Sequence, residues 1–107
     1  MMKFGVVLSG VDPEIVFNAL RLADFACGKG DEVKIFLLGK GVELEQIEDQ
    51  KFDVQGLVKS VVDHGAKILA CGTCLTLRSQ EETEICPIST MSDLYDLIYE
   101  SDKVMTF

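Results

Sequence analysis

Apolar positions along this chain alternate between two rhythms: short unbroken runs and recurrence every three or four residues. Lys3 to Ser9 is a Val-containing run without polar alternation, as expected of a strand covered on both faces. Gly10-Val11-Asp12-Pro13-Glu14 interrupts it. Asp12 is a natural N-cap, and Pro13 suits the first helical position, where its missing N–H loses no bond. The helix then runs to about Cys27. Val16, Ala19, Leu20, Ala23 and Cys27 form its apolar side and Asn18, Arg21 and Asp24 its wet side. Gly28 and Gly30 end it.

A second strand, Glu32 to Leu38, is broken by Gly39-Lys40-Gly41. Val54 to His64 is helical, with Leu57, Val58, Val61 and Val62 as its stripe and Gly65 as its stop. Lys67 to Cys71 is a third strand, and the helix after it, beginning at Thr73 or Cys74, carries Arg78. Glu84 to Ile88 is short and strand-like. A helix capped by Ser92 or a neighbour reaches Tyr99, and Lys103 to Phe107 makes a last strand. The acidic stretch Glu43 to Asp53 fits either a short exposed helix or a mobile loop, its charges a solvated surface.

Strands alternating with helices imply right-handed crossovers and a mostly parallel sheet covered on both faces. The expected architecture is an α/β fold, a three-layer α/β/α sandwich of about five strands in a single domain spanning residues 1–107. In such sheets reactive groups gather at the carboxyl ends of the strands. The loops Ser9 to Asp12, Gly39 to Gly41, Cys71 to Cys74 and Ser89 to Met91 should share that edge.

Composition narrows the function. A formal charge of −8 and no basic cluster longer than two residues argue against nucleic-acid or anionic-membrane binding. No apolar run approaches the roughly 20 residues that cross a bilayer. The N-terminal run Phe4 to Leu8 falls short of the ~7–15 residues of a signal-peptide core, so a cytoplasmic location is expected. In that compartment the four cysteines, Cys27, Cys71, Cys74 and Cys86, point to thiol or metal chemistry rather than a disulfide framework.

The sequence Ile68-Leu-Ala-Cys-Gly-Thr-Cys-Leu-Thr-Leu-Arg78 concentrates that chemistry. A strand ends at Cys71, Gly72 and Thr73 allow the turn, and Cys74 enters a helix. Unpaired N–H groups at a helix start favour thiolate over thiol. Arg78, four residues after Cys74, leans back toward it and can pair with a thiolate, a persulfide or an anion. The alternative is two small core residues beside a surface charge. Cys86, before Pro87, can resolve an intermediate, complete a metal site or simply pack. Cys27 reads as core, and His64, the only histidine, as a helix-end residue.

A zinc site of Cys71, Cys74, Cys86 and His64 has the ligand count but not the reach. His64 and Cys71 stand at opposite ends of a strand spanning roughly 16 Å. No metal or other cofactor is expected. A thioredoxin-like reading fails because that fold carries its CxxC early, whereas here most of the chain precedes Cys74. Gly39-Lys40-Gly41 lacks the third glycine of a dinucleotide fingerprint.

Taken together, Ala23-Asp-Phe-Ala, Gly30-Asp-Glu-Val-Lys-Ile-Phe, Ala70-Cys-Gly-Thr-Cys-Leu, Arg78 and Ser101-Asp-Lys-Val-Met-Thr-Phe make the chain resemble the DsrE/DsrF-like (YchN-like, TusD-like) family of small sulfur-metabolism proteins. The resemblance covers nearly the whole length and implies the same three-layer sandwich. It further implies assembly as a homotrimer, homohexamer or heterohexamer. It also implies sulfane sulfur held as a persulfide on the strand-end cysteine, here Cys71, with donor and acceptor proteins on either side. Cys74 would resolve the persulfide or share its sulfur. Many members have glycine after the arginine; here Ser79 stands there. The expectation is a sulfur carrier with sulfurtransferase-like activity. The alternatives are a non-catalytic binding or redox-regulatory subunit with a CxxC latch, and a thiol-bound metal protein.

Overall fold

A computed structural model describes all 107 residues. Five strands form one sheet: β1 (Lys3–Leu8), β2 (Glu32–Leu37), β3 (Lys67–Cys71), β4 (Ile88–Ser89) and β5 (Lys103–Thr106), in the order β4-β3-β2-β1-β5. Every neighbouring pair is parallel. Four α-helices connect them: α1 (Pro13–Gly28), α2 (Val54–Asp63), α3 (Gly72–Leu77) and α4 (Met91–Glu100). The chain steps from β1 through β2 and β3 to β4, then crosses back so that β5 lies on the other side of β1. Right-handed crossovers in opposite directions place helices on both faces, giving the three layers.

The predicted helix ends follow their chemistry. Asp12 accepts from the Ile15 N–H at 3.0 Å and so caps α1, as expected, with Pro13 next. The cap of α4, expected at Ser92 or a neighbour, is Thr90. Its Oγ1 accepts from Asp93 N at 3.3 Å while an Asp93 carboxylate oxygen accepts from Thr90 N at 2.8 Å, a reciprocal box. The core lies between the sheet and its helices, with Phe36, Leu8, Ile35, Leu20 and Val61 buried. Each such side chain removed from water contributes about 1.5–3 kcal/mol.

Two sequence-based expectations are corrected. The strand expected over Glu84 to Ile88 shrinks to Ile88–Ser89, and Cys86 sits in the bend before it. The reason is Pro87. Ala70 N donates to the Pro87 carbonyl at 2.9 Å, but the proline has no N–H to return, so the ladder cannot extend backwards. The acidic stretch Glu43 to Asp53 is also not wholly exposed: its first four residues end a 3-10 helix and the rest is irregular. Gly39–Gln46 winds as a 3-10 helix with Val42 and Leu44 buried beneath it, and Ile47 is buried just after.

Outward, α4 is unusual. Leu94 and Leu97 face the core, yet Met91, Tyr95, Ile98 and Tyr99 are exposed, with Tyr95 and Tyr99 stacked at 6.1 Å between ring centroids. No helix is long and apolar enough to cross a membrane.

Candidate thiol site

The site is built where β3 ends. Cys71 closes the strand in register with Ser89 of β4, and it is the N-cap of α3. That helix therefore starts at Gly72, ahead of the expected Thr73 or Cys74. The Cys71 residue is only 4% exposed, sealed by the apolar core. One turn on, Cys74 is half-buried, and its thiol lies within hydrogen-bonding reach of Cys71. Both are free thiols. Gly72 and Thr73, the spacer, differ in role. Gly72 lies against β4, a Cβ there falling 3.1 Å from Ile88 Cγ1, whereas Thr73 points to solvent.

A partner from the segment after β2 completes the pair. The Gly39 N–H donates to Cys74 Sγ at 3.1 Å. Gly39 begins the 3-10 segment after β2 with φ of +57°, a left-handed turn that glycine adopts without cost. Gly41 fixes how low that segment sits. A Cβ there would overlap the Leu8 carbonyl oxygen and lie 2.8 Å from its carbon, so only glycine lets the segment rest on the end of β1.

Arg78 ends α3 and reaches back as expected, but not to a sulfur. One Nη donates to the Cys74 carbonyl at 3.1 Å and Nε donates to Glu43 Oε2 at 2.9 Å. Two more bonds bind the same stretches together: Gln80 Nε2 donates to the Val42 carbonyl at 2.7 Å, and Thr83 Oγ1 donates to Glu45. The chain after α3 is thus clipped to the 3-10 segment at three points. Glu43, Glu45, Gln80 and Thr83 escaped the sequence reading. Alternation of Glu43 and Glu45 with Val42 and Leu44 was the available signal that this acidic run has a buried side.

The electrostatics differ from expectation. The Cys74 thiol is held above its ordinary range, first by burial and then by its hydrogen bond with Cys71. The Gly39 N–H and the Arg78 charge act the other way and are outweighed. A six-residue helix sums few peptide dipoles, and Glu43 neutralises much of the arginine, so neither offsets lost hydration.

The remaining candidates lie apart. Cys86 is buried, faces Glu45 and Thr83 rather than the CxxC, and is pushed up to about 12 by burial and then by the Glu45 charge. Cys27 is partly buried against the core, its thiol raised by the same loss of water. His64 is the C-cap of α2, as its helix-end reading expected, and its Nδ1 also contacts Asp24 Oδ1 of α1 at 2.8 Å, linking the two helices. No three or more His, Cys, Asp or Glu side chains cluster as metal ligands. Of the four loops expected at the carboxyl edge, Gly39–Gly41, Cys71–Cys74 and Ser89 adjoin. Ser9–Asp12 lies over β1, two strands from the thiol pair but against the Gly39–Gly41 turn, where a Cβ on Gly41 would fall 3.4 Å from Ser9 Cα. There, where the chain order reverses, Ser9, Asp12, Ile15 and Phe107 border a cleft that no cysteine lines.

Comparison with known proteins agrees with this fold. Residues 2–107 match the DsrE/DsrF-like family. Uncharacterized protein MJ0989 of Methanocaldococcus jannaschii is 35% identical over 99% of this chain and all of its own length. Uncharacterized protein MK0008 of Methanopyrus kandleri is 36% identical over 88% of this chain and 83% of its own. Among solved structures, BT1422, a conserved protein of unknown function from Bacteroides thetaiotaomicron, superposes with a TM-score of 0.78 at 19% identity, covering 98% of this chain and 94% of that one. MTH1491, of unknown function from Methanobacterium thermoautotrophicum, gives 0.79 at 11% identity with both chains fully covered. The structural likenesses speak for the sheet order and layers, and the sequence matches for descent. The chain belongs to the DsrE/DsrF-like family.

Proposed function

We propose that this protein is a sulfur carrier, which takes sulfane sulfur from a donor as a cysteine persulfide on the Cys71/Cys74 pair and passes it to an acceptor thiol. The observation carrying this reading is the pair itself, two free thiols in mutual reach at the end of β3 with an N–H donor on one and a cation nearby. Thiol exchange needs a thiolate, access and a leaving group, not a general base, so a site without histidine suffices. Family membership supports a sulfur-relay role. The protein acts in the cytoplasm as a homotrimer or homohexamer, a state favoured by the outward apolar stripe of α4. Incubation with a low-molecular-weight persulfide followed by mass spectrometry tests the carrier role. A gain of one sulfur atom is expected, and its absence from the wild-type protein together with no release of sulfide refutes the reading.

A second reading, a redox-regulated subunit without turnover, is favoured by the burial of Cys71 and the raised Cys74 thiol. It is distinguished by a protein that forms an internal disulfide but takes up no sulfur.

A further inference from the structure

We infer that the two cysteines divide the work in the order opposite to their place in the chain: Cys74 accepts the sulfur from outside, and Cys71 beneath it discharges that sulfur as hydrogen sulfide. The inference rests on the carrier reading and deepens it.

Access sets the entry point. In-line attack on a donor persulfide requires the incoming sulfur to approach the nucleophile from outside, with the leaving sulfur opposite. Cys71, 4% exposed and closed in between Ala70, Ser89 and the core, offers no such path. Cys74, one turn into α3, is half-open. Cys74 is also the sulfur with a fixed donor. The Gly39 N–H at 3.1 Å can stabilise negative charge on it when it attacks and again when it leaves. The Arg78 guanidinium, anchored on the Cys74 carbonyl, supplies the nearest positive charge.

The chemistry balances in two steps. The Cys74 thiolate attacks the outer sulfur of a donor persulfide, R–S–SH. The donor S–S bond breaks, R–S⁻ departs and takes up the proton Cys74 gave up, and Cys74–S–SH forms without net oxidation. When no acceptor arrives, Cys71 attacks the inner sulfur of Cys74. The Cys71–Cys74 disulfide forms and HS⁻ leaves, taking the Cys71 proton as H₂S. The two cysteines are oxidised by two electrons and the sulfane sulfur is reduced by two. A dithiol reductant then restores both thiols. Adjacency of the pair makes the second step intramolecular, so stored sulfur has a built-in exit.

Wild type, Cys71→Ser and Cys74→Ser are loaded with a low-molecular-weight persulfide and followed by tandem mass spectrometry, with sulfide release measured in parallel. Circular dichroism verifies the fold of each variant, and Cys74→Ser keeps a hydroxyl to accept the Gly39 N–H. The added sulfur is expected on Cys74 in wild type and in Cys71→Ser, where it should persist at least tenfold longer with no sulfide burst. Cys74→Ser should stay unloaded. Sulfur found on Cys71, or loading of Cys74→Ser at the wild-type level, overturns the division of labour while leaving the carrier reading intact. Equal persistence in wild type and Cys71→Ser overturns the discharge step. No added sulfur on any form refutes the carrier reading itself.

Discussion

Arg78 is held from both sides, by the Cys74 carbonyl at 3.1 Å and by Glu43 across the gap between two loops at 2.9 Å. The carboxylate therefore masks the one cation beside the thiol pair. Glu43→Gln should unmask it. The expected result is a rise of severalfold in the ratio of Cys74 alkylation by anionic iodoacetate to that by neutral iodoacetamide at low salt, shrinking as salt is added. Arg78→Ala should lower the same ratio. Stability should fall by no more than about 1 kcal/mol in Glu43→Gln, because the pair is partly exposed.

The raised Cys74 thiol has a direct kinetic signature. Iodoacetamide modification of Cys74 should climb with pH through a midpoint above about 8.5, the free-cysteine value. Arg78→Ala should move the midpoint higher still. Stopped alkylation with peptide mapping reads both, and a midpoint below the free value would contradict the balance of burial over donors described above.

Cys86 links pH to folding. Its thiol stays protonated in the fold up to about 12, whereas the unfolded chain releases that proton from about 8.5 upward. The folded state binds more protons in this window, so the contribution is complete below about 8.5 and is lost as pH approaches 12. The slope is at most about 1.4 kcal/mol per pH unit. Urea unfolding of wild type and Cys86→Ala at several alkaline pH values should show the steeper decline only in wild type.

Gly41→Ala should cost about 1–3 kcal/mol in urea unfolding, since the added carbon meets backbone at the end of β1 and not a movable side chain. The same variant should change Cys74 alkylation, because the Gly39 N–H rides on the displaced segment. Loss of stability with unchanged thiol reactivity would separate the two.

Ser79 stands at φ of +51°, in the left-handed region that glycine adopts without steric cost. Glycine there relieves about 1–2 kcal/mol of strain and costs about 0.5–1 kcal/mol of chain entropy. Ser79→Gly should accordingly be neutral or up to about 1 kcal/mol stabilising by thermal melt, and Ser79→Val clearly destabilising.

The helix and strand rhythm of the sequence was legible because it reports burial, and burial is what the sheet enforces. Asp12-Pro13 marked the start of α1, and the Ile68 run marked a strand ending at Cys71. Pro87 was visible but was read for its turn rather than for the N–H it withholds, so β4 came out too long. What escaped were relations between distant segments. The Gly39 amide on Cys74 joins residues 35 apart, and Arg78 with Glu43 likewise 35. No local pattern encodes either. The same blindness explains the thiol electrostatics: proximity of a helix start is written in the CxxC spacing, whereas the depth to which the pair sinks is set by everything packed around it.

Because the amide that touches the outer sulfur comes from the far side of a strand crossing, the reactivity of this motif can drift in evolution while its cysteines stay untouched. A descendant that lengthened the Gly39–Gln46 turn, or stiffened it with a bulkier residue at position 41, would keep Cys-Gly-Thr-Cys letter for letter and carry different chemistry. Kinship within such proteins is better sorted by the glycine spacing after the second strand than by counting thiols.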